Sequence, residues 1–141
     1  MSELGSCVCF NTRKLARCVS QMYDTALEPS GLKNTQFALL AMVSERGPIS
    51  ITELANTMAV ERTTLTRNLK VLVRDGLLSV TQGADARSRA VTITAEGRHR
   101  VMSAFPLWAE AQETLVKRIG KRRWVTLKKE LEAVCEATAS G

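Results

Sequence analysis

Between Ser50 and Thr94 the apolar spacing changes from a helical to a strand period, and that switch limits the fold more tightly than any other feature of the chain. Ser50-Ile51-Thr52-Glu53 has the form of a capping box: Ser50 accepts from the Glu53 amide while Glu53 reaches back to Ser50. The helix it opens carries Ile51, Leu54, Ala55 and Met58 on one face. Ala59-Val60-Glu61 reads as a tight turn, followed by a second helix from Arg62 to Arg74 that Gly76 closes. Two short helices joined in this way form a helix-turn-helix. After Gly76, Leu78 and Val80 alternate with Ser79 and Thr81, and Val91 and Ile93 alternate with Thr92 and Thr94. The polar stretch Gly83-Ala84-Asp85-Ala86-Arg87-Ser88-Arg89 between them makes a β-hairpin with a basic tip, so the unit predicts a winged helix.

Helices flank this unit. The first is expected from about Leu4 to Leu27, with Val8, Leu15, Val19, Met22 and Ala26 at helical spacing, ended by Glu28-Pro29-Ser30-Gly31. A second is expected to start with Thr35 as N-cap, to carry Phe37, Leu40 and Ala41 inward, and to stop at Gly47-Pro48. Thr94 caps a long helix reaching about Ile119, with Val101, Phe105, Trp108, Leu115 and Ile119 inward and a kink at Pro106. After Gly120 a last helix places Trp124, Leu127, Leu131 and Val134 in a seam like coiled-coil a/d positions. The first helix and this seam are more apolar than isolated surface helices should be, so they need a partner. The expected fold is mainly α with a small β-hairpin wing: a winged helix-turn-helix over residues 31–97, with dimerisation helices over 1–30 and 98–141.

The 141 residues suffice for one core without staples. The longest apolar run, Phe37 to Val43, is far shorter than a membrane span, and no leader peptide is evident, so a cytoplasmic protein without a membrane partner is expected. The formal net charge of +6 favours a polyanionic partner, and its placement says more than its size. Residues 61–100 hold eight Lys or Arg against four acids. Lys117, Arg118, Lys121, Arg122, Arg123, Lys128 and Lys129 form a second cluster without acids, which reads equally well as a solvated helix face.

On the second helix of the pair, Leu65, Leu69, Leu72 and Val73 form a core stripe, while Arg62, Thr63, Thr66, Arg67, Lys70 and Arg74 fall on a separate arc. Such a face fits the major groove of double-stranded DNA, with arginine and threonine near its start reading base edges and Lys70 and Arg74 meeting phosphates. In the hairpin loop Arg87 and Arg89 suit a narrow minor groove, and Asp85 is placed to orient Arg87. Ser50 and Thr64 complete the candidate DNA-binding set. There is no Gly-rich phosphate loop, no metal-ligand spacing and a single histidine, so neither an enzyme nor a cofactor is expected. An interaction adaptor that kept the winged helix but lost DNA binding is the remaining class, and the basic residues of both elements speak against it.

Four cysteines (Cys7, Cys9, Cys18 and Cys135) read as reduced thiols. Within one helix Cys7 and Cys18 would stand about 16 Å apart, which excludes a disulfide between them.

The stretches Gly31 to Leu40, Ile51-Thr-Glu-Leu-Ala55, Arg62-Thr-Thr-Leu-Thr-Arg-Asn-Leu69, Arg74-Asp-Gly-Leu77, Asp85-x-Arg87 and Ile93-Thr-Ala-Glu-Gly97 together resemble the MarR (multiple antibiotic resistance regulator) family over nearly the whole chain. The resemblance implies a symmetric homodimer held by the first and last helices, with residues 62–74 as recognition helix and the wing, 83–90, carrying Arg87 or Arg89. It implies transcriptional regulation, usually repression, at a pseudo-palindromic operator, relieved by a small molecule or by thiol oxidation. Glu61 stands where relatives more often have Ser or Asp. The effector pocket of relatives lies between the dimer helices and the winged helix, which makes Arg17, Tyr23, Phe37, Phe105 and Trp108 the candidates here, suited to an aromatic acid. Cys9-Phe10 resembles the reactive-cysteine segment of the peroxide-sensing branch, so Cys9, or Cys7 and Cys18, are the redox candidates. Phe37 stands where that branch has a tyrosine, and Tyr23 is the only tyrosine in the chain.

Overall fold

The computed structural model describes residues 2–82 and 89–139. In chain order it comprises α1 (Ser2–Gly5), α2 (Val8–Leu27), a 3-10 turn (Glu28–Ser30), α3 (Asn34–Arg46), β1 (Ile49–Ser50), α4 (Ile51–Met58), α5 (Arg62–Arg74), β2 (Leu78–Thr81), β3 (Ala90–Ile93), α6 (Ala95–Ile119) and α7 (Lys121–Ala139). A mainly helical chain with a small antiparallel sheet is what the period switch predicts.

The expected first helix is broken at Ser6-Cys7. Cys7 becomes the N-cap of α2, its Sγ accepting from the Phe10 amide at 3.4 Å. Asn11 Nδ2 donates to the Gly5 carbonyl (2.9 Å), a backbone group the break leaves open, and also to the Cys7 carbonyl (2.8 Å). The second helix starts at Asn34 rather than after Thr35, because its start is held from elsewhere. Asp24 Oδ1 on α2 accepts from the Asn34 amide at 2.7 Å, and Gln36 Oε1 accepts from the Lys33 amide at 3.0 Å.

Ser50 caps α4, accepting from the Glu53 amide at 3.1 Å, but the expected return bond is not made, since the Glu53 carboxylate turns to Arg46. Glu53 faces Arg46 at 3.4 Å, an exposed pair of small energetic weight. The turn between α4 and α5 passes through Ala59 in the left-handed region (φ +53), and the Val60 amide returns to the Ala55 carbonyl at 3.0 Å.

The sheet order is β1-β3-β2. Leu78 pairs with Ile93 and Val80 with Val91, while Ser79 and Thr92 share a hydroxyl hydrogen bond of 2.8 Å across their strands. The apolar positions of the two strands are therefore matched in register. The third strand, Ile49↔Val91 and Ser50↔Ala90, has no counterpart in the sequence reading. Two residues carry no period, and the strand exists only through its pairing with β3.

The core gathers Leu27, Phe37, Leu40, Val43, Leu54, Leu65, Leu69, Leu72, Leu77, Leu78 and Val91 from the helices and the sheet. Val73, expected in the α5 stripe, is 40% exposed, since it falls at the stripe's edge. Phe105, expected inward on α6, is 53% exposed. The buried stripe of α6 consists of the small residues Gly97, Ala104 and Ala111, one every seven positions, and Phe105 lies roughly 100° away from it. Thr94 caps α6 by accepting from the Gly97 amide at 2.9 Å, and its hydroxyl also reaches the Gly76 carbonyl at 2.7 Å. One residue thus joins the end of the helix-turn-helix to the long helix.

Candidate nucleic-acid interface

Leu65, Leu69 and Leu72 turn one side of α5 into the core, and the opposite side is left to solvent. Arg62, Thr63, Thr66, Arg67 and Lys70 line one shared surface depression on that side. The sequence-derived arc is therefore a contiguous face. Arg67 and Lys70 are exposed and have no ion-pair partner among the described residues. Arg62 leans toward Thr52 of α4, Nη1 to Oγ1 3.4 Å, so it stands where the two helices meet. Thr66 donates to the Arg62 carbonyl at 2.9 Å, so its hydroxyl is engaged within the helix.

Other candidates sit differently. Arg74 at the far end of α5 faces Asp75 at 3.3 Å. Thr64 is half-buried and does not line the depression. Ser50 spends its hydroxyl on the α4 cap. Asp85 and Arg87 lie outside the described residues. Arg89 is exposed, and its carbonyl accepts from the Ile51 amide at 3.2 Å, which ties the base of the wing to the first turn of α4. Of the basic residues counted over 61–100, Arg100 is half-buried and points Nη1 at the Ser30 carbonyl at 3.4 Å, away from α5. The spacing could not separate it from the others.

A second feature is a cleft of about 420 Å³ between α2, α3 and α6. Three of the aromatic candidates meet there: Tyr23, Phe37 and Trp108. Phe37 and Trp108 are stacked, with centroids 6.0 Å apart and planes at 23°. The Tyr23 hydroxyl donates to Gln112 Oε1, and burial pushes its pKa up, so it stays a neutral donor. Arg17 and Phe105 do not line the cleft; Phe105 packs on the outer side of Trp108 at 5.5 Å. Sequence reasoning missed Gln112 and Ser20, polar residues on helices with no motif to mark them, and Asn34, which lies in the Gly31 to Leu40 stretch but was not singled out within it.

Below that cleft an apolar groove of about 260 Å³ runs between α2, α6 and α7, with Leu15, Leu115, Ile119, Trp124 and Leu127 on its walls. Leu131 and Val134, the rest of the seam, are 38% and 41% exposed. All four cysteines are free thiols. Among the described residues no cluster of His, Cys, Asp and Glu could hold a metal ion, and no helix is long and apolar enough to cross a membrane.

A capped helix-turn-helix with an exposed Arg/Thr/Lys face, tied to a β-wing, defines a winged-helix DNA-binding regulator. The MarR family model matches residues 32–88. The transcriptional regulator MosR of M. tuberculosis is 38% identical, over 98% of this chain and 99% of that one, with a TM-score of 0.85. MosR solved in complex with DNA is 45% identical over 91% of this chain and 98% of that one, with a TM-score of 0.78. The HTH-type transcriptional regulator YwoH of Bacillus subtilis is 29% identical over 100 residues, 71% of this chain and 73% of that protein. The chain belongs to the MarR family of transcriptional regulators.

Proposed function

We propose that the chain is a homodimeric repressor that binds a pseudo-palindromic operator, with residues 31–97 as the DNA-binding region and residues 1–30 and 98–141 as the dimerisation region. The observation that carries this reading is the contiguous exposed face of Arg62, Thr63, Arg67 and Lys70 on a helix whose other side is core. In this reading residues 62–74 enter the major groove, where Arg67 reads a guanine edge and Lys70 and Arg74 meet phosphates. The wing, 83–90, reaches the adjacent minor groove with Arg87 and Arg89. MosR, solved with DNA, supports DNA as the partner.

Dimerisation is supported by where the apolar surface lies. Leu4, Val8, Phe10, Leu15, Met102, Phe105, Val125, Leu131 and Val134 are exposed, all on α1, α2, α6 and α7; Val73 is the one large exposed hydrophobic elsewhere among the described residues. Such a surface suits a twofold partner that presents two recognition helices about one helical turn apart. A small molecule in the α2–α3–α6 cleft would change the angle between the winged helix and the dimer helices and release the operator.

The test is a salt series of binding to a duplex from the promoter beside its own gene. Affinity should fall steeply and linearly on a log–log scale as phosphate contacts release counterions. A flat response, or no binding, marks an adaptor instead.

A second reading, thiol-controlled release, is favoured by Cys7, whose sulfur sits at the N-terminus of α2 and accepts the Phe10 N–H at 3.4 Å. Cys9 and Cys18 are exposed nearby in sequence. Organic hydroperoxide should then release DNA from the parent and not from Cys7→Ser or Cys9→Ser; equal release from all three ends the reading.

A further inference from the structure

We propose that the α2–α3–α6 cleft takes an uncharged, planar aromatic ligand, packed against the Phe37–Trp108 pair and hydrogen-bonded to Gln112, and that it selects against aromatic acids. The proposal rests on the effector reading for the location of the site and adds the chemical class of its ligand.

The walls decide the shape. Phe37 and Trp108 lie nearly parallel, Phe37 buried and Trp108 half-buried, and both line the cleft. A flat ring system can pack against this pair in the offset or tilted arrangements that aromatic groups favour. Val19 and Ala41 complete an apolar surround, and about 420 Å³ accommodates a fused bicyclic ring.

The polar groups decide the charge. The Tyr23 hydroxyl uses Gln112 Oε1 as its acceptor, so the Gln112 amide N–H groups remain to donate to a ligand carbonyl or phenol oxygen. The Tyr23 oxygen and the Ser20 hydroxyl can in turn accept from a ligand hydroxyl. Among the described residues no Lys, Arg or His lines the cleft, and Arg17 is absent from its walls. The charge tied into the lining is the Asp24 carboxylate, hydrogen-bonded to Asn34 at 2.7 and 2.8 Å and offset in part by Lys33. A ligand carboxylate would lie against aromatic rings without a counter-charge in the lining. A phenol, lactone or quinone of the same shape meets no such cost.

The experiment compares matched pairs, β-naphthol with β-naphthoate and coumarin with coumarin carboxylate, by titration calorimetry on the full chain at neutral pH. The neutral member should bind at least about tenfold more tightly in each pair. Gln112→Leu should weaken the neutral ligand several-fold, and Gln112→Lys should reverse the preference toward the acid by supplying the missing cation. Equal binding, or preference for the acid in the parent, overturns the assignment of charge. Binding of the neutral compound without release of operator DNA leaves the ligand class standing and overturns the effector role. If neither member of either pair binds a protein that still binds DNA, the cleft is not a ligand site and both readings fall.

Discussion

The Asp24 carboxylate caps the N-terminus of α3 from another helix, accepting from both the backbone amide and the side-chain amide of Asn34, at 2.7 and 2.8 Å. Lys33, the residue in the N-cap position, has no side-chain acceptor to offer. The bond also closes the corner between α2 and α3, where Gly31 adopts φ +76. The backbone N–H of Asn34 is the main reason Asp24 titrates below the usual carboxylate range; burial opposes it, and the Asn34 side chain and Lys33 assist.

Asp24→Ala should therefore destabilise the protein by about 1 kcal/mol at neutral pH, the usual cost of a lost cap. Because the folded pKa is lowered, the stabilisation is complete above the unfolded carboxylate value of about 4 and is lost as pH falls through the folded value. Urea unfolding of parent and variant should show a gap at neutral pH that narrows below about pH 4. A gap that is constant with pH, or widens in acid, contradicts the assignment.

Gly97 holds α6 against the base of the wing. A Cβ there would lie 2.1 Å from the Leu77 carbonyl oxygen and 2.7 Å from Ile93 Cγ1, and the first of these is backbone that cannot turn aside. Gly97→Ala should cost about 1–3 kcal/mol in urea unfolding, the range of overpacked sites, despite the better helix propensity of alanine. A stabilised variant would mean that α6 does not approach the wing this closely.

These residues show where the chain was legible and where it was not. The bounds of α4 and α5 could be read because their signals are local: Ser50 caps three residues ahead, and Gly76 takes the positive φ that ends the unit. The start of α3 could not, because its acceptor, Asp24, is ten residues upstream on another helix. The strand β1 depends wholly on its pairing with Val91 and Ala90. Phe105 misled because a large apolar residue at helical spacing looks like core, whereas α6 packs through Gly97, Ala104 and Ala111. The cleft was half legible. Its aromatics stand out by type, but Gln112 acquires meaning only beside Tyr23, 89 positions away.

On the proposed DNA face the prediction separates two kinds of contact. Arg67→Ala, which removes an exposed and unpaired guanidinium, should cost about 1–3 kcal/mol on the operator and less on unrelated DNA. Lys70→Ala should weaken both duplexes alike and reduce the salt slope by about one. Arg89→Ala should weaken operator binding without changing the order of preference among major-groove variants. Competition titrations with operator and scrambled duplexes measure all three. Variants that all match the parent exclude α5 and the wing as the docking surface.

The last prediction concerns the seam on α7. Leu131, on one wall of the apolar groove, and Val134 are 38% and 41% exposed, and neither belongs to the buried core. If the seam is the dimer contact, Leu131→Glu buries an unpaired carboxylate at that contact. Sedimentation should then show a monomer where the parent sediments as a dimer, with the helical circular dichroism of the chain retained. Operator affinity should drop by about 100-fold or more, because two recognition helices on one particle bind the second half-site at high effective concentration and a monomer cannot. A single half-site duplex should be bound equally by parent and variant. A Leu131→Glu protein that still sediments as a dimer would place the interface elsewhere, on the exposed apolar residues of α1 and the first turns of α2.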